Sequence, residues 1–321
     1  MLTAPDFKEK TLALIFCTEG QKFSFQNDNL LVKDKDDRIV LQNTCHRLQA
    51  LWFVGSGSIT TGLLERSKKF GFPILNMNQS MKHIGLWNSQ TEGNFLLRKK
   101  QYTLETFHIA KHIIKNKIDN QLENLNYFRS KSDGCKVAIS LLKDYSQEVM
   151  TANDLAGLMG LEGIAAKVYF KEFYKDNNWK GRKPRVKSDP LNVILDIGYT
   201  FLFNIVENML HLYGFDIYQG VCHTNFYNRK SLVCDIQEPF RCIVDKIIKR
   251  AIDLGQFKES DFEISKSQYV LKHEKSRSYT QWLLKSILEY RMDLFNYCQQ
   301  YYRAFIREKS IDQYPIFKIK N

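Results

Sequence analysis

Four side chains far apart in the chain have the types and settings that bind a divalent cation: Glu162, His223, Asp235 and Glu238. Glu162 begins a stretch in which Ala165, Ala166, Tyr169, Phe170 and Phe173 follow at helical spacing. On a helix this acid therefore shares the face that must pack inward. A carboxylate there is costly unless it is paired, capped or metal-bound. The plainer alternative is an acid near a helix N-terminus, where the dipole favours it. His223 follows Gly214–Cys222, a largely apolar stretch in which a hydrogen-bonded core histidine is the simpler reading. Asp235 and Glu238 are three residues apart and share a helical face. They point away from the apolar stripe of Ile236, Phe240, Ile243, Val244, Ile247 and Ile248. Asp235 as an N-cap with Glu238 closing a capping box explains them equally, since Pro239 is tolerated in a first turn. Each residue alone is ordinary. Together, carboxylates and one imidazole suit a hard divalent cation, Mg²⁺ or Mn²⁺, rather than zinc. Such an ion polarises a phosphodiester and stabilises the oxygen displaced from it.

The basic residues point to the same partner. Lys180, Arg182, Lys183, Arg185 and Lys187 crowd with Trp179 into a Pro-containing loop, residues 177–189, that suits phosphate contacts; a merely solvated basic loop is the alternative. Arg241, about one turn past the acids, pairs with Glu238 or with phosphate, and the sequence leaves the choice open. Lys plus Arg number 47 against 35 Asp plus Glu, a net charge of +12 that favours a polyanion, DNA or RNA. Seven scattered cysteines without a CxxC pair exclude a disulfide framework and a structural zinc site. No apolar run reaches the roughly 18 residues of a membrane span, and residues 1–9 lack the features of a secretory signal. The expectation is a cytoplasmic protein with no membrane contact.

These residues must be positioned by two unlike regions. Leu12–Phe16, Lys22–Phe25, Asn29–Lys33 and Arg38–Leu41 are short and β-rich, with turn formers such as Asn27-Asp28 between them. Leu51–Val54, Ser58–Thr60 and Pro73–Met77 continue the pattern, and one helix fits Thr61–Phe70, capped by Gly71. From Asn94 onward the periodicity is helical, with Leu104, Phe107, Ala110, Ile114, Ile118, Leu122 and Leu125 on one face. Further helices are expected over 136–150, 157–174, 191–213, 236–254 and 279–306, the apolar 191–212 running through the centre. The fold class is α+β: a small β-sandwich-like domain with one helix over residues 1–87, a linker at 88–93, and an all-α catalytic domain over 94–321.

In this order the motifs resemble those of the CRISPR-associated integrase family, Cas-one. Gly160-Leu161-Glu162-Gly163-Ile164-Ala165-Ala166-Lys167-Val168-Tyr169-Phe170 is similar to its glutamate motif. Arg185 to Leu202, with Asp189-Pro190-Leu191-Asn192 and Gly198-Tyr199, resembles its central helix signature. His223 followed by Ser231 to Arg241 resembles its histidine and acidic motifs. Fainter echoes are Gly57-Ser58-Ile59-Thr60, Arg98 to Gln101-Tyr102, and Lys117 with Asn120-Gln121. Gln237 and the loop residues Asn225, Tyr227 and Asn228 depart from the usual pattern without touching a ligand position. The resemblance implies that Glu162, His223 and Glu238 ligate the metal, with Asp235 a further catalytic acid. It implies insertion of short DNA fragments (protospacers) into a repeat array by attack of a 3′-hydroxyl on a phosphodiester. It also implies a homodimer formed through the β domain, two of which bridge the small partner Cas-two in a heterohexamer-type complex. A branched-DNA nuclease and a non-catalytic nucleic-acid-binding scaffold are the alternative functions.

Overall fold

Strand and helix signals separate in the computed structural model as they do in the sequence. It describes residues 4–17, 19–78, 83–88, 94–175, 179, 181–183, 186–223 and 226–320. One unit comprises residues 1–94 with 211–214; the other comprises 95–210 and 215–321. Most of the expected linker, 89–93, lies outside the described residues.

In the first unit, β1 (Thr11–Phe16), β5 (Leu48–Val54), β6 (Ile74–Met77) and β7 (His83–Trp87) form one sheet. The central β5 is parallel to β1 and β6, and β7 closes the edge antiparallel to β6. Nearly every residue of β5 is buried, as expected of a strand covered on both faces. A second sheet is the antiparallel meander of β2 (Lys22–Gln26), β3 (Asn29–Lys33) and β4 (Ile39–Thr44). The β2–β3 hairpin turns on Asn27-Asp28, both at positive φ, the conformation a two-residue type I′ turn needs. Helix α2 (Thr61–Phe70) ends at Gly71, whose left-handed φ of 70° lets its N–H reach the Ser67 carbonyl. Ala13, Ile15, Leu30, Val32, Phe53, Leu63 and Ile74 meet in the core. Three details differ from the sequence reading. Ser58–Thr60 is loop rather than strand, β7 is additional, and a short helix, α1 (Ala4–Lys8), precedes β1.

The second unit is built around α4 (Phe107–Asn126), which follows α3 (Phe95–Thr103). Helix α4 packs against α5 (Asp133–Thr151), α6 (Leu155–Phe173), α8 (Ser231–Gln237), α9 (Arg241–Asp253) and the 3-10 turn Glu238–Phe240. Besides its apolar face it buries a polar stripe, Asn116, Lys117, Asn120, Gln121 and Asn124. Ser132 and Asp154 cap α5 and α6 by accepting from the N–H groups of Cys135 and Gly157. Helix α7 (Pro190–Tyr213) is long and apolar enough to cross a membrane, but 78% of that stretch is buried inside the protein. Polar residues such as Asn192, Asp196, Asn204 and Glu207 interrupt it, which is why no unbroken apolar run was visible, yet enough apolar residues remain for the stretch as a whole to be strongly apolar. Its close approach to neighbours requires Gly198, where a Cβ would lie 2.4 Å from Val244 Cγ1. The single helix expected over 236–254 is broken at Pro239, which has no N–H to continue the ladder. The one expected over 279–306 is two, α10 (His273–Leu288) and α11 (Arg291–Ile306). The unit is also not wholly helical, because β8 (Phe262–Ser265) and β9 (Gln268–Leu271) form a hairpin.

Candidate metal centre

Helices α4, α6 and the 3-10 turn after α8 bring Lys117, Glu162 and Glu238 together. Glu162 stands in the middle of α6, so the dipole of a helix N-terminus does not explain it. The Lys117 ammonium pairs with Glu162 Oε1 and lies 2.6 Å from Glu238 Oε2. Both Lys117 and Glu238 are almost fully buried. Glu238 Oε1 is 3.2 Å from the Arg241 guanidinium, so the pairing left open by the sequence is with Glu238. Burial alone would raise the Glu238 carboxyl, but Arg241 and Lys117 outweigh it and hold it at about 2, from 4.5. Burial likewise opposes the charge on Lys117, and the two carboxylates overcome it and raise its pKa.

His223 is held from behind. Its Nδ1 is 2.6 Å from Asp235 Oδ1, which also accepts from the His223 N–H. The other oxygen, Oδ2, accepts from the N–H groups of Val221 and Cys222. Gly220 makes this wrap possible, since a Cβ there would sit 2.7 Å from Asp235 Oδ2. Asp235 is fully buried with both oxygens engaged. The acid expected as a further catalytic group is thus tied to the backbone and ring of the His223 loop. It is not an N-cap, for α8 begins at Ser231. Both acids are buried, so the face opposite the apolar stripe is covered as well. A carboxylate hydrogen-bonded to one ring nitrogen is the usual support of a metal-binding imidazole.

Two carboxylates and an imidazole are a donor set that fits a hard divalent ion. Glu162 and Glu238 already share one cation, and Glu238 Oε2 is buried without a directed hydrogen bond despite the nearby ammonium. Among the described residues, however, no three His, Cys, Asp or Glu side chains stand close enough to hold a metal as placed. Lys117 fills the space between the two acids.

A second buried network adjoins this one. Asp245 of α9 accepts hydrogen bonds from Tyr199 and from Tyr169 at 3.2 Å, and its carbonyl accepts from Tyr174 at 3.0 Å. Tyr199 also carries Arg241 and Arg182 over its ring, at 5.1 and 5.3 Å. Arg182 is thus no free phosphate contact. It reaches Asp196 Oδ1 at 2.5 Å and Asn192 Oδ1 at 2.9 Å, tying its loop to the start of α7. Asn192 Oδ1 also accepts from the Lys183 N–H, and Asp189 caps the helix through the Asn192 N–H. Lys183 is exposed and Lys187 half-buried, while Lys180 and Arg185 lie outside the described residues. Gln101, a faint echo in the sequence, clamps the Asp216 backbone through both ends of its amide, ahead of the His223 loop. Asp245 was not anticipated. Its signal was an acid amid the apolar face of α9.

Residues 14–284 match the family described as CRISPR associated protein Cas1. A CRISPR-associated endonuclease Cas1 of Thermodesulfovibrio yellowstonii is 29% identical over 287 residues, spanning 82% of this chain and 88% of that one. A CAS1 protein from Thermotoga maritima has the same fold, with a TM-score of 0.80 at 18% identity over 97% of this chain and 100% of the other. A chain of a Cas6-RT-Cas1–Cas2 complex superposes with a TM-score of 0.81 at 25% identity; the match covers 98% of this chain and 36% of that longer one. With a family match over most of its length, this chain belongs to the CRISPR-associated Cas1 family.

Proposed function

We propose that this chain is a metal-dependent DNA integrase of CRISPR adaptation, joining the 3′-ends of short duplex fragments to the edge of a repeat. The observation that carries the reading is the convergence of Glu162 and Glu238 on one buried cation; His223, held at Nδ1 by Asp235, is the imidazole the reading adds to them. Glu162, Glu238 and His223 Nε2 are the groups that would hold Mg²⁺ or Mn²⁺. When bound, such an ion polarises the scissile phosphate and neutralises charge on the departing oxygen. The chain's own residues do the rest. Asp235 keeps the His223 ring from turning, Arg241 keeps Glu238 ionised, and Lys183 and Lys187 offer cations to the DNA backbone.

The reaction needs no nucleotide cofactor. The attacking 3′-hydroxyl loses a proton as its oxygen bonds to phosphorus, and the displaced 3′-oxygen gains one as its bond breaks. One phosphodiester is made for one broken. Water in place of the hydroxyl gives hydrolysis at the same site, the reading favoured by the endonuclease name of the relatives. The chain acts as a homodimer through its β unit, and a Cas2-type partner completes the complex, as the Cas1–Cas2 complex it superposes on suggests.

A strand-transfer assay with a labelled fragment, a repeat-bearing plasmid and Mn²⁺ or EDTA tests this, with and without a Cas2 partner. Glu162→Ala and Glu238→Ala are expected to abolish joining while DNA is still retained. Normal joining by both variants removes the ligand assignment. Cleavage without insertion leaves the nuclease reading, and metal-insensitive binding without cleavage leaves a scaffold.

A further inference from the structure

The acidic pair is occupied by the protein's own cation. Lys117 comes from the middle of α4, and that stretch is pinned on either side. Asn116 exchanges hydrogen bonds with the Phe317 backbone at 2.7 and 2.9 Å, and Asn120 accepts from the Ile319 N–H at 2.8 Å. The backbone that carries Lys117 is therefore held in place, and its flexible stem brings the ammonium to the acids. The ammonium lies within contact of Glu162 Oε1 and Glu238 Oε2 at once. A Mg²⁺ ligated by the same two oxygens would sit about 2.0–2.1 Å from each. The ammonium and the ion cannot share that space. The charges agree: Glu162 and Glu238 are balanced one for one by Lys117 and Arg241, so a divalent ion added between the two acids with Lys117 in place would crowd positive charge against positive charge.

We propose that Lys117 is a built-in surrogate cation: it holds Glu162 and Glu238 together in the metal-free protein, and metal binding is an exchange that expels its ammonium from between them. This rests on the metal reading above. The lysine keeps two buried like charges from forcing the site apart before the ion arrives. It also weakens the ion's apparent affinity, because only the fraction of molecules with Lys117 withdrawn can bind.

The test is Mn²⁺ binding by the full-length chain, measured by the electron paramagnetic resonance of free Mn²⁺, together with the unfolding temperature with and without Mn²⁺. Lys117→Met removes the charge and keeps the length. It is expected to bind Mn²⁺ about ten-fold or more tightly than the parent. Its metal-free unfolding temperature is expected to fall, and most of the loss to return with Mn²⁺. Lys117→Arg keeps a cation and is expected to show no such gain in affinity. Equal or weaker Mn²⁺ binding by Lys117→Met overturns the proposal. Should that variant not fold without metal, refolding in millimolar Mn²⁺ is expected to succeed, and failure there overturns the proposal as well. Glu238→Gln separates the two readings. If the parent binds Mn²⁺, Glu238→Gln loses it, and Lys117→Met gains nothing, the metal site stands and the exchange falls. If the parent binds none, both fall.

Discussion

Glu238 and Asp245 are buried carboxylates two helical turns apart, and their surroundings drive them in opposite directions. Glu238 lies against two cations and is held at about 2. Asp245 accepts from two tyrosine hydroxyls, and burial lifts it to about 6 from 3.8, more than those hydrogen bonds and the charges of Arg182 and Arg241 lower it. Burial raises both acids, so the difference lies in direct ion pairing. One region is made to keep a negative charge ready for a cation. The other is a hydrogen-bonded brace that tolerates a proton.

The largest contrast is expected in stability at neutral pH. Glu238→Gln leaves Arg241 without its acid and Lys117 with only Glu162. Breaking a buried pair by removing one partner costs about 3–5 kcal/mol. Asp245→Asn removes a charge that burial already disfavours, so it is expected to be near neutral or stabilising at pH 7.5. Urea unfolding of the two variants measures this. Equal destabilisation by both would end the distinction.

The pH dependence sharpens the same contrast. Glu238 titrates lower folded than unfolded, so its contribution is complete above about 4.5 and disappears as pH falls through about 2. Asp245 titrates higher folded, so its penalty is complete at neutral pH. It is relieved as pH falls through about 6 and is gone below its unfolded value of 3.8. A shift of that size corresponds to roughly 3 kcal/mol. Between pH 7.5 and 4 the parent is expected to gain about that much relative to Asp245→Asn, by unfolding at each pH. A constant difference between the two proteins would mean that Asp245 titrates as it does unfolded.

The two carboxylates were unequally legible in the sequence. Glu238 stood beside Pro239 in a motif with a recognisable order, and Glu162 occupied the inward face of an obvious helix. The boundary near residue 94, the hairpin at Asn27-Asp28 and the cap at Gly71 were readable because local periodicity and turn chemistry decide them. Asp245 was hidden because its partners come from elsewhere in the chain: Tyr169 in α6, Tyr174 just after it, and Tyr199 in α7. Lys117 showed only as a faint echo for the same reason: its meaning depends on where α6 and the turn after α8 arrive. Arg182 was legible as a charge but not in its partners, since Asn192 and Asp196, ten and fourteen residues on, take its hydrogen bonds. Side-chain type gives the chemistry available; tertiary packing decides which partner receives it.

Asp235 offers a third way to solvate a buried carboxylate, with three backbone N–H donors and one imidazole. These partners are all in the 221–223 segment, so under the proposed metal reading Asp235 supports His223. Asp235→Asn puts an amide donor where an N–H must be accepted and should loosen the 221–223 loop. Loss of such outer support costs about 10–100-fold in metal affinity or activity. Joining rates and Mn²⁺ binding are expected to fall together by that amount, less than the complete loss from Glu238→Ala. A loss as complete as that of Glu238→Ala would make Asp235 a direct participant in the chemistry.

The smallest effect concerns cations, where the same division between inward and outward charge holds. Arg182 is committed to Asp196, whereas Lys183 is exposed one residue later. A cation on a DNA phosphate releases condensed counterions, so removing it lowers the slope of log affinity against log salt by about 1. Lys183→Ala is expected to lower the slope by about that much without changing the unfolding midpoint. Arg182→Ala is expected to do the reverse, leaving the slope nearly unchanged while lowering the midpoint, because Asp196 loses its partner and the loop its tie to α7. Filter binding across a salt series, paired with denaturant unfolding of both variants, separates the two effects. If Arg182→Ala lowers the slope as much as Lys183→Ala does, the Asp196 pair opens on DNA and its arginine belongs to the phosphate surface after all.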